Sequence, residues 1–302
     1  MMSEAPAGTT QAPLAVIAEI AKISRKDMRA AAMTLGDAEA RYLVDLYYQA
    51  QDMRIAANNQ LKAATKAAEP CEAIGLIRAQ FDTVEDNIRL ALDLYTDAHP
   101  IARRARTVLG VGPVISAGLI SSLSIELVER PEKGEEFPEG YVPKRTPINA
   151  VGAWWRFCGL DPTSHWGKGE KRPWNAQLKR LCWLLGESFV KVKGREGAFY
   201  GELYTVAREK YGAINDAFGY RPECERRLAE KHLRGMDASL RALLETGKLP
   251  DKAMHERAKR YAVKIFLSHL HAVWFLDYFG TLPPKPYVIE MLGHKDFMPP
   301  TF

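Results

Sequence analysis

Apolar residues recur at three- and four-residue steps along most of the chain, and no segment alternates convincingly at a step of two, so the pattern predicts an all-α protein. Between Asp37 and Lys66, the residues Leu43, Leu46, Tyr47, Ala50, Met53 and Ala57 mark one stripe of a long amphipathic helix. A second stripe runs through Ile74, Ile77, Phe81, Val84, Ile88, Ala91 and Leu92, with Pro70 in the connection. Two such helices joined by a short turn read as an antiparallel hairpin, or as a coiled coil whose apolar seam also pairs with another subunit.

Pro100 opens a third helix that ends at Leu109-Gly110-Val111-Gly112-Pro113, and PVISAGLISSL continues as a fourth. Residues 130–147 hold four prolines and four glutamates without an apolar period, which predicts a solvated loop. INAVGAWWRFCGLDP reads as a short helix stopped by Gly159, followed by the turn-rich TSHWGKGEKRPWN. A helix begun at Pro173 or Asn175 carries Leu178, Leu181, Cys182, Leu185, Phe189 and Val192 as its core stripe. The remainder to Tyr278 reads as further helix, broken at 212–222 and 247–250. The expected organisation is a flexible tail and lead-in helix (1–36), a helical hairpin or coiled coil (37–99), a domain built on a helix-hairpin-helix (100–210) and a helical extension (211–302).

Composition narrows the classes. With 302 residues, 47% hydrophobic and 26% charged, the chain can bury a sizeable core. A net charge of +5 suits a polyanionic partner without specifying one. Cys71, Cys158, Cys182 and Cys224 lie at wide spacings, so free thiols are expected, with neither a disulfide framework nor a zinc finger. The N-terminal MMSEAPAGTTQAP lacks an apolar core, and Lys264, His269, His271 and Asp277 interrupt the most apolar late stretch. Neither a signal peptide nor a membrane span is expected, which implies a cytoplasmic protein.

Three features carry candidate chemistry. In the hairpin at 109–113, Gly110 and Gly112 let the backbone approach a ligand, and Pro113 fits the first turn of the next helix. Free amides there, around Gly110, Val111 and Gly112, form a seat for a DNA phosphate, with Arg103, Arg104 and Arg106 upstream to hold its neighbours. A plain helix turn that uses two glycines is the bland alternative.

The second feature is the segment 161–195, where eight Lys or Arg face three acids, an excess equal to the net charge of the whole chain. Lys168, Lys171, Arg172, Lys179 and Arg180 are its candidate phosphate contacts, interleaved with Trp166 and Trp174, which could stack on unpaired bases. Trp183 is expected in the core of its helix. Third, Arg257, Arg260, Lys264, Ser268 and His271 share one face of a late helix, opposite Ala258, Tyr261, Ala262, Ile265, Ala272 and Val273. That strip fits either a nucleic-acid backbone or ordinary solvent. His255-Glu256 does not continue into HExxH, and no phosphate-binding GxxxxGK[ST], GxSxG or nucleotide fingerprint occurs, so no metal and no cofactor is expected.

The ordered set VLGVGPVISAGLISSL, AVGAWWRFCGLDP, a Gly-Lys-rich stretch and KRPWNAQLKRLCWLL, over about residues 100 to 195, resembles the C-terminal domain of DEDD-type insertion-sequence transposases. These are RNA-guided, serine-dependent recombinases, and the long helices ahead of the match resemble their coiled-coil connector. The resemblance implies DNA binding, a structured RNA as a further partner, and self-association through the N-terminal helices. It also brings departures. The family's N-terminal RuvC-like domain and its four acidic metal ligands have no counterpart in this sequence. Where the family has consecutive serines before Gly-Gly-Lys, this chain reads Ser164-His165-Trp166-Gly167-Lys168-Gly169, leaving Ser164 as the only nearby hydroxyl nucleophile. The expectation is a transposase-like DNA-binding protein, non-catalytic by itself. An active recombinase using Ser164, and an RNA-binding or scaffold protein, stand as alternatives.

Overall fold

The computed structural model describes residues 19, 24–131, 135–229, 237–284 and 298–302. The tail at 1–13, Glu132-Lys133-Gly134 of the acidic loop and part of the C-terminal extension lie outside the described residues. The fold is all-α, with one two-stranded ladder among the described residues. No helix among the described residues is long and apolar enough to cross a membrane.

The chain forms two compact units, Met1–Arg106 with Gly112–Leu123, and Thr107–Val111 with Ser124–Phe302. In the first unit, helical residues 24–32 (α1) precede α2 (Asp37–Lys66) and α3 (Glu72–Ala98), which pack antiparallel. The turn between them places Ala68 at positive φ, and Glu69 N–H returns to the Ala64 carbonyl. Two links cross the hairpin: Arg54 Nε donates to Glu85 Oε2 at 2.6 Å, and Tyr95 Oη donates to Asp37 Oδ1 at 2.8 Å. The short α4 (Pro100–Ala105) packs on α3, and α5 (Pro113–Ser122) packs on both long helices. Small residues permit that approach: Ala117 is fully buried, Gly118 is buried, and Ser116 Oγ donates to the Ala102 carbonyl at 3.1 Å.

The buried stripe of α2 is rotated from the one the sequence suggests. Ala40, Val44, Tyr48, Ala50, Ala57 and Ala64 face inward, while Leu46 and Met53 are 47% and 54% exposed. Helix α2 packs through small residues against α3 and α5, so burial follows the narrow contact line and leaves the larger side chains outside. Helix α3 buries Ile88, Ala91 and Leu92 as expected, but Ile77 and Val84 are exposed.

In the second unit the expected loop is closed at its base by β1 (Glu126–Val128) and β2 (Arg145–Pro147), an antiparallel pair. Residues 145–147, read from sequence as loop, are therefore extended and hydrogen-bonded. Helix α6 (Val151–Phe157) follows, and Gly159 at φ +65° turns the chain out of it. Asn175 caps α7 (Ala176–Val192) by accepting from the amides of Gln177 and Leu178. Five of the six residues of the predicted α7 stripe, Leu178, Leu181, Cys182, Leu185 and Phe189, are buried, and Val192 at the helix end is half-buried.

Helix α8 (Phe199–Asp216) runs through Gly212 without a break; the interruption falls at 217–220, ahead of α9 (Arg221–Ala229). Helix α10 (Ala238–Glu245) and the 29-residue α11 (Asp251–Phe279) complete the unit, with α11 packed on α6, α7 and α8. His271, expected on a basic outer face, is buried: its Nε2 meets the Ile148 carbonyl at 2.7 Å and its ring packs edge-on against Trp154. Because α11 has neighbours on several sides, the two-faced pattern read from its sequence gives way to burial around most of its circumference.

Candidate nucleic-acid interface

The two glycines of the hairpin have different surroundings. Gly110 takes φ +99°, a conformation that a side chain disfavours, and a Cβ there would lie 3.2 Å from Phe189 Cδ1. Its carbonyl accepts from Ser188 Oγ at 2.6 Å, so this part of the turn is seated on α7. Val111 is buried, and its amide donates to the Val108 carbonyl. Gly112 is the N-cap of α5, has ordinary φ of −91°, and has nothing within 4 Å of an added Cβ. No side chain caps that helix start, and the first amides of an α-helix lack intrahelical partners. Gly112 thus marks the open half of the bend, and Gly110 the packed half.

The three upstream arginines also divide. Arg103 and Arg104 are exposed on α4. Arg106 is half-buried, ion-paired with Asp93, and donates to Thr96 Oγ1 at 2.9 Å and to the Asp93 carbonyl at 3.2 Å. Its guanidinium fastens the end of α4 to α3, a use the sequence did not reveal.

In the basic segment Lys168, Lys171, Arg172, Lys179 and Arg180 are all exposed. The loop folds on itself: Gly167 N–H donates to Glu170 Oε2 at 2.8 Å, and Trp166 Nε1 donates to the Glu170 carbonyl at 2.7 Å. Arg172 lies 4.8 Å over the Trp166 ring, and Lys179 Nζ lies 4.0 Å over that of Trp174. The segment's own cations therefore cover indole faces that sequence reading assigned to bases. Trp183 departs from expectation in the other direction. It is 50% exposed rather than part of the core, because its neighbours Cys182 and Leu185 take the inward positions of α7.

Trp183 lines a cleft of about 750 Å³ walled by residues 159–164, α7, α9 and the first half of α11. Seven cationic side chains reach this cleft (Lys179, Arg226, Arg227, Lys252, Arg257, Lys259 and Arg260) against the three carboxylates Asp161, Glu223 and Glu256. Arg226, Arg227 and Lys252 were not singled out from sequence, because nothing local distinguishes them from ordinary surface cations.

The carboxylates in the wall are engaged. Glu223 is pushed up by burial, but Arg257 and Arg227 outweigh this and hold it below its usual range. Asp161 accepts from the Thr163 hydroxyl at 2.7 Å, the Thr163 amide at 2.9 Å and Ser164 Oγ at 3.2 Å. The Thr163 bonds lead in lowering its pKa, so Asp161 is a firmly ionised acceptor and a weak proton acceptor toward Ser164. Lys264 lies nearby, its ammonium 4.1 Å over the Trp155 ring; burial is the main cause of its lowered pKa, Asp161 opposes that shift, and Arg260 adds to it.

Glu187, His255 and Glu256 bring their ligand atoms within 4.8 Å of one another. The cation among them is the buried Lys259, paired with Glu187 and with Glu256 at 2.7 Å, while His255 Nδ1 is bonded to Tyr204 Oη at 2.7 Å. Two of the three groups are thus ion-paired with one ammonium. Cys158 and Cys182, far apart in sequence, approach one another as buried thiols, and the neighbouring Cys158 sulfur together with burial pushes the Cys182 thiol well above its ordinary range.

No protein-family model, curated protein or solved structure matches this chain.

Proposed function

We propose that this chain is a DNA-binding protein related, over residues 100–195, to insertion-sequence transposases, and that it contacts the DNA backbone through the α5 N-terminus and the basic segment. The observation that carries this reading is the start of α5. It is uncapped by any side chain, open at Gly112, and belongs to the same compact unit as the exposed Arg103 and Arg104. A helix start without a side-chain cap, with cations on the same unit, suits a phosphate. Lys168, Lys171 and Arg172 add sequence-independent contacts.

Gly112→Val separates this reading from a plain turn. The residue's φ is ordinary and its surroundings empty, so the fold should persist while duplex affinity falls about tenfold, as for loss of a charge-assisted contact. Full affinity in a folded Gly112→Val protein removes the hairpin from the interface. The catalytic alternative draws on Ser164 standing in the wall of the basic cleft. It requires a covalent protein–DNA adduct that disappears in Ser164→Ala.

A further inference from the structure

We propose that the cleft between residues 159–164, α7, α9 and α11 binds an unpaired stretch of a nucleic-acid strand, with phosphates at Lys179 and Arg260 and a base against Trp183. This rests on the nucleic-acid reading above and narrows it to a strand without a partner.

Shape comes first. A concavity of about 750 Å³ falls in the range that encloses single small molecules, about 300–1,000 Å³. One or two nucleotides fit such a volume, whereas a duplex carries its phosphates on a convex cylinder that cannot sink into it. Charge comes second. Glu223 is taken up by Arg227 and Arg257, and Glu256 by Lys259. Among the described residues no carboxylate pairs with Lys179, Lys252 or Arg260. Lys179 and Arg260 line the same cleft without a carboxylate partner among the described residues; burial lowers the pKa of Lys179, and the charges of Arg260 and Arg172 lower it further. A phosphodiester relieves that repulsion. The cations without a carboxylate partner stand on two elements, Lys179 on α7 and Lys252 and Arg260 on α11, which suits successive phosphates better than a single small anion. The buried Lys259 lies 4.8 Å over the Trp183 ring, and the half of the indole that stays exposed offers a stacking surface indifferent to base identity.

The test uses the full chain and fluorescence anisotropy with short oligo-dT, oligo-U and a blunt DNA duplex. Lys179→Ser/Arg260→Ser alters two exposed side chains that lack a carboxylate partner; loss of the Lys179 contact with the Trp174 ring should lower its thermal melt only slightly, with the circular dichroism of the parent retained. Single-strand affinity should fall about tenfold or more, and several-fold further than duplex affinity, to which Lys179 contributes only one of several contacts in the basic segment. The tighter of oligo-dT and oligo-U identifies the strand as DNA or RNA. Strand binding should also quench tryptophan emission, and Trp183→Phe should remove most of that quenching. The proposal is overturned by an equal loss on duplex, by unchanged single-strand affinity, or by full displacement of the oligonucleotide with equimolar pyrophosphate. Duplex binding that survives Gly112→Val, alongside single-strand binding lost in the double variant, would sink the hairpin reading and keep this one. The reverse pattern would sink this one alone.

Discussion

The two compact units fill their cores with different materials. The first lines its helix contacts with alanines (Ala40, Ala50, Ala57 and Ala64 on α2, Ala91 on α3, Ala102 and Ala105 on α4, and Ala117 on α5) beside the aliphatic Leu92, Ile101, Leu119 and Ile120 and the tyrosines Tyr48 and Tyr95. Its buried polar residues, Asn87, Thr96, Ser116 and Ser121, are neutral. The second packs Trp154, Phe189, Tyr200, Tyr204, Phe266 and Phe275, and buries the ionisable Lys259, His269 and His271. Small side chains let helices approach closely and gain stability from fit, whereas aromatic side chains gain it from area, each burying roughly 150–250 Å². The first core is therefore intolerant of added volume, and the second intolerant of lost volume and of added charge.

The largest expected effect tests the aromatic core. Phe266 is fully buried, with ring centroids 5.3 Å from Tyr200, 5.7 Å from Phe189 and 5.8 Å from Phe302. Phe266→Ala should cost about 3–5 kcal/mol in a denaturant titration. A loss below about 1 kcal/mol would mean that the rings do not dominate that unit. Ala117→Leu should cost about 1–3 kcal/mol by overpacking α5 against α2 and α3, and an unchanged midpoint would disprove the tight-fit description.

The smallest effect is a pH dependence confined to one unit. Burial leads in lowering the proton affinity of His269 and His271, outweighing their bonds to the carbonyls of Met298 and Ile148. Above the ordinary histidine pKa of about 6.5, both are neutral whether folded or unfolded, and stability is complete. Below it the unfolded chain binds protons that the folded chain refuses, so stability falls with pH until the lowered folded values are passed. With the intrinsic slowing of exchange at lower pH divided out, amide protection in α11 should therefore fall between about pH 7 and pH 5 while protection in α2 stays steady. An equal loss of protection in both helices would erase the contrast.

Much of the helical order was readable from the chain. The α7 stripe, the Asn175 cap, the Gly159 stop and the Pro113 start all follow from short-range rules, because caps and periodicity depend on residues within a few positions of one another. The pattern misled where packing partners were unusual. In α2 the alanines won the interior over Leu46 and Met53, and in α11 burial on several sides took in His271. The candidate site was legible in part. Arg103, Arg104, Gly112 and the exposed lysines of the basic segment stand where a ligand could reach them, but Arg106 is committed to Asp93, and Gly110 to the α7 surface. The cleft was not legible, since its cations come from residues about eighty positions apart, and Trp183 read as core by its apolar character.

By itself the sequence determined which segments are helical, where most of them stop and which stretch concentrates positive charge, since each depends on local propensity and covalent neighbours. Only the tertiary structure decided which cations are neutralised by internal carboxylates and which stand unopposed around a cavity. Ion pairing and enclosure depend on distances through space, and a Coulomb interaction of a few ångströms can join side chains from α7, α9 and α11 that no pattern along the chain connects.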